Sequence, residues 1–377
     1  MKNAGREPLP DALRALALIG VLAVNAAGYA AAPWGPLLGV IEPAGSPAAW
    51  IVQGAQAALL QGKAYPMLAF LFGMSLVLAQ QRARDDDRSD HRTTRRRLRA
   101  LLILGVLHGG LLYFGDILTM YALCALWLVI RHLDEPWHTL RPRLRRAAVL
   151  ALITVLVMIV LPWWIEVLSP GEPGRPEPSF RMISSYGGFL AENLTIYIVQ
   201  NTVGLLFALP VIRLCMLAGV AAARLRLLTH PRWQAARRSL AVRWMGPLLL
   251  LNVGYAAWVV LGHGSGSSRS YWIDGLAPLC GIPLSACYIA WLSQRWVAGH
   301  RRWAGWLAPL GQRSLSLYVF HSLWCLVLFS GLGLTLAPGT VGLLLISMAL
   351  WLAALLAARA STGRWLLEAW LARRSRP

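Results

Sequence analysis

The sequence predicts an all-α protein: a polytopic transmembrane helical bundle of about ten spans, with both termini cytoplasmic. Three observations lead there. Only 14% of the 377 residues are charged and 57% are hydrophobic, giving a mean hydropathy of +0.54, whereas a soluble protein is about 25% charged. Apolar stretches near the ~20 residues that cross a bilayer recur along the whole length. Basic residues collect in every second connection between those stretches. The chain reads as a single transmembrane domain over residues 1–377.

Ten apolar segments carry the spans: Ala12–Ala32, Tyr65–Gln81, Leu98–Phe114, Ile117–Ile130, Ala147–Leu168, Leu194–Ala223, Trp244–Gly262, Trp272–Trp296, Leu307–Ser330 and Gly339–Ala358. A further stretch, Ala48–Gln61, alternates apolar and polar residues at helical spacing and suits the membrane interface. Arginines fill the connections after spans two (Arg82 to Arg99), four (Arg131 to Arg146), six (Arg224 to Arg243) and eight (Arg295, Arg301, Arg302), and the C-terminal tail. The intervening connections hold none in Pro33–Pro47, only Arg175 and Arg181 in Ser169–Asn193, and only Arg269 in His263–Tyr271. The positive-inside rule then sets both termini in the cytoplasm, and only an even number of spans keeps the alternation. Small residues at Ala27–Ala32 resemble a signal-peptidase site, but Asp11, Arg14 and Asn25 make a poor signal peptide, so no cleavage is expected.

The net charge of +20 does not imply nucleic acid. The basic residues are nearly all Arg, in short blocks between apolar segments, without the interleaved aromatics of a single-strand binder. The partner they imply is the lipid bilayer. The five cysteines all lie inside apolar segments with no metal-type pairing, so they read as small buried hydrophobes and no metal is expected.

An ionisable side chain costs ~2.5–3.5 kcal/mol at mid-span, so those present mark an interior or a cavity. Asn25 lies near the middle of span one, as an interhelical hydrogen bonder or a catalytic donor. Lys63, one of only two lysines, opens span two and either snorkels or contacts a ligand. His108 sits ten residues into span three among Gly105, Gly109 and Gly110, and Asp116 follows in a tight re-entry. Asp116 suits an N-cap of span four and equally an orienting carboxylate for a histidine. Span six is long and polar (Glu192, Asn193, Gln200, Asn201, Arg213), with a break expected around Pro210. In span nine, Tyr318 and His321 are three apart and share a face. Two intramembrane histidines point to proton handling. No phosphate-binding glycine loop, Gly-x-Ser-x-Gly elbow or HExxH is present.

Several stretches together resemble the YeiB family of bacterial membrane proteins. They are Asp11-Ala12-Leu13-Arg14 through Val24-Asn25, Gly62-Lys63 through Leu71-Phe72-Gly73, Leu104-Gly105-Val106-Leu107-His108, Gly115-Asp116-Ile117-Leu118 through Tyr121-Ala122, and Gly311-Gln312-Arg313-Ser314 through Tyr318 and His321-Ser322. The likeness is strongest in 11–135 and 308–335; residues 136–300 form a variable middle and 301–377 a family-like C-terminal part. Ala15 replaces a usual glycine, His321 stands where a Gln is frequent, and the closing pattern is blurred to Gly363 through Glu368, which weakens any role for that tail. Such proteins are similar to transmembrane acyltransferases, the acyltransferase-three family that acylates surface glycans and the lysosomal heparan-glucosaminide N-acetyltransferases. The shared look is Asp11 and Arg14 entering span one, with Gly311, Ser314, Tyr318 and His321 in the late helix.

That resemblance implies an acyltransferase in a bacterial plasma (inner) membrane. It would pass an acyl group from cytoplasmic acyl-CoA, its co-substrate, to a hydroxyl or amine of a glycan or lipid acceptor at the outer face. His108 is expected as base with Asp116 orienting it, and His321 as the rival base. Asn25 or Tyr318 would supply oxyanion hydrogen bonds, Arg14 and Arg313 would meet the phosphates of CoA, and Lys63 would touch the acceptor. The competing expectation is a proton-coupled small-molecule transporter with the histidines and Asp116 as its relay, although the halves show no inverted repeat. Oligomeric state is not legible from the sequence.

Overall fold

The computed structural model describes residues 7–30, 45–85, 91–168, 180–263 and 271–374. Fourteen α-helices run in order through them: α1 (Pro8–Ala30), α2 (Pro47–Leu59), α3 (Ala64–Asp85), α4 (His91–Leu111), α5 (Leu118–Cys124), α6 (Trp137–Leu168), α7 (Tyr186–Leu225), α8 (Gln234–Arg238), α9 (Met245–His263), α10 (Tyr271–Val297), α11 (Arg302–Gly311), α12 (Ser314–Phe329), α13 (Thr340–Ala360) and α14 (Leu366–Arg374). The described residues contain no strand. Residues 33–44 of the connection expected without basic residues, residues 169–179 of the next and 264–270 of the last lie outside the described residues, as do Ala31 and Ala32 of the signal-like stretch.

The protein is a membrane protein. Among the described residues, seven helical stretches are long and apolar enough to cross a bilayer: Pro8–Ala30, Pro47–Arg82, Trp137–Trp164, Tyr186–Leu225, Pro231–Leu261, Gly275–Val297 and Thr340–Ala360. The three other expected segments form helices that fall short by composition or length. The first turns of α4 carry Arg92, Arg95, Arg96, Arg97 and Arg99. Leu118–His132 and Ser314–Phe329 are shorter than a bilayer requires. The former begins as α5 and loosens into a π-turn, Ala125–Val129, and a 3-10 turn, Ile130–His132.

Two expectations about continuity are corrected. Leu307–Ser330 is not one helix but breaks between α11 and α12 at Gln312 and Arg313. There Arg313 donates to the carbonyls of Pro309 (2.8 Å), Ser361 (2.8 Å) and Gly363 (2.7 Å). Glu368 of α14 accepts from the backbone N–H groups of Leu315 (3.0 Å) and Ser316 (2.9 Å), capping α12. The C-terminal tail, weak as a family motif, therefore has a structural use. Conversely, α7 runs unbroken for 40 residues through Pro210. A proline is tolerated inside a membrane helix that neighbouring helices support, and α7 packs closely on α3, with Gly219 against the Phe70 carbonyl and Gly73 against the Met216 carbonyl.

The layout follows burial. The apolar window of α1 is 72% buried against 22% for α6, α9 and α13, so α1 is the central post and the others face lipid. α3, α11, α12 and α13 pack around α1, and Trp351 of α13 donates to the Ala15 carbonyl at 2.9 Å. One apolar cluster fills the middle of the bundle, from Leu9 to Leu371. A second, aromatic cluster of Tyr29, Tyr113, Phe114, Phe180, Phe189 and Phe329 closes the end where α1, α4 and α12 finish.

Candidate functional site

The site forms where α4 ends and the chain doubles back. α4 terminates at Leu111, and a turn through Leu112–Ile117 brings α5 alongside it. Asn193 of α7 holds that turn: its Oδ1 accepts from Phe114 N (2.7 Å), and its Nδ2 donates to the carbonyls of Gly109 (2.8 Å) and Gly110 (2.9 Å). These are carbonyls that a helix end leaves unpaired. Gly105 admits the returning strand of chain, since a Cβ there would stand 2.6 Å from Thr119 N and 3.0 Å from Asp116 Oδ2.

Within this turn Asp116 Oδ2 accepts from Thr119 N, in the first turn of α5, at 2.7 Å, and its Oδ1 meets His108 Nδ1 at 2.9 Å. Both side chains are wholly buried. An ionised carboxylate only accepts, so beside it Nδ1 donates, and in a neutral imidazole Nε2 is then free to accept. The hydroxyl of Ser322 on α12 stands 2.9 Å from that Nε2. Ser322, His108 and Asp116 thus form a continuous hydroxyl–imidazole–carboxylate chain drawn from three elements. This is the geometry by which an imidazole accepts a hydroxyl proton while a carboxylate fixes its tautomer.

Tyr318, one turn before Ser322, completes the wall. Its ring lies 4.7 Å from the His108 ring, its oxygen accepts from Ile117 N at 3.2 Å, and its hydroxyl faces Asp116 Oδ1 at 3.5 Å. α1 closes the opposite side. Asn25 Oδ1 accepts from Tyr65 OH at 3.1 Å, while its buried Nδ2 has no hydrogen-bond partner. Tyr29, four residues on and so on the same face, donates to the Leu112 carbonyl at 2.6 Å, stacks on Tyr113 at 4.5 Å and lies beside Ser322. Above them the Phe180–Met182 turn is pinned twice. Gly331 N donates to the Phe180 carbonyl (2.9 Å) and Arg181 Nη2 to the Ala30 carbonyl (2.8 Å).

Of the residues singled out from sequence, His108, Asp116 and Tyr318 converge, with Asn25 on the neighbouring face of α1. The others go elsewhere. His321 is buried but turned toward Cys325 Sγ, 3.6 Å from its Nδ1. Arg14 pairs with Asp11 at the other end of α1. Arg313 spends its Nη donors on the carbonyls that end α11 and tie down the tail, and lies over Trp365 at 5.8 Å. Lys63 donates to the Ala57 carbonyl at 2.6 Å and sits 5.6 Å from the Tyr255 ring, between α2, α9 and α10. Arg213 is half-buried, and its Nε has no hydrogen-bond partner among the described residues. The reading of sequence missed Ser322 as the partner of His108, and it missed Asn193 and Thr119 as supports. For Ser322 a signal existed. At 3.6 residues per turn it lies about 40° from Tyr318 around α12, nearer than His321 at about 60°. Among the described residues, no group of three or more His, Cys, Asp or Glu could hold a metal ion.

With this geometry in view, comparison with known proteins adds a partial relationship. Residues 222–366 match a family described as a protein of unknown function, DUF418. That description fits the YeiB-like resemblance of the sequence. The DUF418 stretch takes in α8 through α13, and so Tyr318 and Ser322, whereas His108 and Asp116 precede it. An uncharacterized protein of Bacillus subtilis (strain 168), YxaH, is 32% identical over 130 residues, covering 33% of this chain and 32% of the relative. The chain thus aligns with about a third of the curated relative it matches. No solved structure matches.

Proposed function

We propose that this chain is an acyltransferase of a bacterial plasma membrane, crossing it about ten times with both termini in the cytoplasm. It takes an acyl group from cytoplasmic acyl-CoA and delivers it to a hydroxyl or amine of a glycan or lipid at the outer face. The observation that carries this reading is the buried His108–Asp116 pair, whose Nε2 faces a hydroxyl rather than a backbone carbonyl. Acyl transfer needs a base for the incoming hydroxyl or amine and a donor for the tetrahedral oxyanion. His108, held in one tautomer by Asp116, is a base; the unpartnered Nδ2 of Asn25 is a donor ready for an oxyanion.

Depth favours the same reading. His108 lies nine residues past Arg99, the last arginine of the basic block, or about 14 Å along α4, roughly mid-membrane. Asn25 lies eleven residues past Arg14, about 16 Å along α1. That is a separation for a pantetheine arm to span from a phosphate site at the Arg14 end. In this scheme Arg14 remains a candidate for the phosphates, while Arg313 is occupied structurally. Lys63 lies with a different set of helices and would act, if on an acceptor, away from the His108 pair. The aromatic cluster over Ser322 closes the outer approach and must shift for an acceptor to enter.

The test is reconstitution in proteoliposomes with radiolabelled acetyl-CoA on the side of the basic connections and extracted envelope glycans and lipids as acceptors. Label in the acceptor, lost in His108→Gln, is expected. Counterflow of a small solute with no acyl transfer would instead make the protein a proton-coupled transporter and overturn the proposal.

A further inference from the structure

Ser322 occupies the position on His108 Nε2 that an acceptor would need in a one-step transfer. Its Oγ lies 2.9 Å from Nε2 and 3.4 Å from the Tyr318 carbonyl, with the Tyr29 hydroxyl as a further side-chain partner. Ser322 is completely buried, and its hydroxyl stands within hydrogen-bond distance of Nε2. We infer that Ser322 is the nucleophile and carries the acyl group as an ester between two half-reactions. The inference rests on the acyltransferase reading above and deepens it from a one-step to a two-step transfer.

The steps balance without any further reagent. Ser322 Oγ attacks the thioester carbonyl carbon as its proton passes to His108 Nε2, and the oxyanion takes a hydrogen bond from Asn25 Nδ2. Collapse breaks the C–S bond, and the leaving thiolate takes the proton from His108 to depart as a free thiol. In the second half the acceptor hydroxyl or amine attacks the Ser322 ester and gives its proton to His108. The C–O bond to Ser322 breaks, and Ser322 recovers the proton. Asp116 remains a positioning residue throughout, holding Nδ1–H. A relay of this kind relieves a geometric difficulty. A buried hydroxyl near mid-membrane is approached by donor and acceptor in turn, so the two need never share one cavity through the bilayer. It also gives work to a feature a structural role leaves idle, the unpaired Nδ2 of Asn25.

The experiment uses the full-length protein in lipid nanodiscs and a probe that does not depend on acyl-CoA. An alkyl fluorophosphonate phosphonylates activated serines with loss of fluoride, and peptide mass spectrometry locates the adduct. The adduct is expected on Ser322, absent in Ser322→Ala and at least tenfold slower to form in Asp116→Asn, which keeps the imidazole but frees its tautomer. In parallel, radiolabelled acetyl-CoA without acceptor should leave an ester on Ser322. Ser322→Cys guards against misfolding: its thioester should be released by neutral hydroxylamine, which the wild-type ester resists. Folded protein that takes up no fluorophosphonate at Ser322 overturns the inference. Undiminished acyl transfer by Ser322→Ala also overturns it, and leaves the acyltransferase reading standing. A fluorophosphonate adduct on Ser322 without acyl transfer from any acyl-CoA supports the activated serine and defeats the acyltransferase reading instead.

Discussion

Replacing Gly105 by Ala isolates the tightest point of the site. Two opposed effects meet there. Ala is favoured over Gly inside a helix by about 1 kcal/mol. Against that, the new methyl would lie 2.6 Å from Thr119 N, 2.7 Å from Thr119 Oγ1 and 3.0 Å from Asp116 Oδ2. The first of these atoms is backbone and already donates to Asp116 at 2.7 Å, so α5 must move as a unit. Overpacking of this kind costs about 1–3 kcal/mol, and a strained bond to a carboxylate adds about 1 kcal/mol more. The expected net is a destabilisation of about 1–3 kcal/mol. Gly110→Ala on the same helix is the internal standard, because its nearest neighbour, Leu194 Cδ1, is at 3.7 Å. That variant should gain up to about 1 kcal/mol. Unfolding in detergent micelles, followed by helical circular dichroism, should therefore separate the two variants by roughly 2 kcal/mol. If Gly105→Ala equals or exceeds Gly110→Ala in stability, the close approach of α4 to the Asp116 turn is wrong.

Three further outcomes follow from the same contacts. Asn193→Ala removes three hydrogen bonds of 2.7–2.9 Å around the turn and should cost about 3 kcal/mol in the same assay, since buried groups are left unpaired; a neutral result would contradict the clamp. Glu368→Ala exposes the unpaired N–H groups at the start of α12 and should cost about 1–2 kcal/mol, with hydrogen exchange accelerating first at Leu315 and Ser316. Outside the membrane, burial pushes the Glu135 carboxyl up, but bonds from His132 and Arg143 outweigh it and hold it below its usual 4.5. A depressed carboxyl contributes stability above pH 4.5 that is lost as pH falls through its folded value. Glu135→Gln should therefore flatten the acid limb of a stability–pH curve, and an unchanged limb would remove that network from the account.

Apolar length made most of the helices legible in the sequence, because lipid-facing and buried faces are both apolar and a run of either kind registers. What it could not register was interruption. The break at Arg313 depends on carbonyls of Ser361 and Gly363 and on the Glu368 cap, all about fifty residues away in sequence. The persistence of α7 through Pro210 was equally invisible, because a proline is tolerated in a membrane helix that neighbouring helices support. In the site, His108 and Asp116 were readable because a turn of eight residues brings them together. Ser322 was not, since its partner is 214 residues distant and a hydroxyl in an apolar helix bonds its own preceding carbonyl as readily as anything else. Arg313 and Lys63 each donate to backbone carbonyls, contacts that no spacing in the sequence announces.

The central claim is that the His108–Asp116 pair performs acyl transfer. Its most direct test is release of free CoA thiol from acetyl-CoA by the purified protein in nanodiscs with envelope acceptors, comparing wild type, His108→Gln and Asp116→Asn. The account predicts turnover by the wild type and a loss of about 10²–10⁴-fold in both variants. Thiol release that survives both substitutions in folded protein, or none from the wild type with any acyl-CoA, would contradict it.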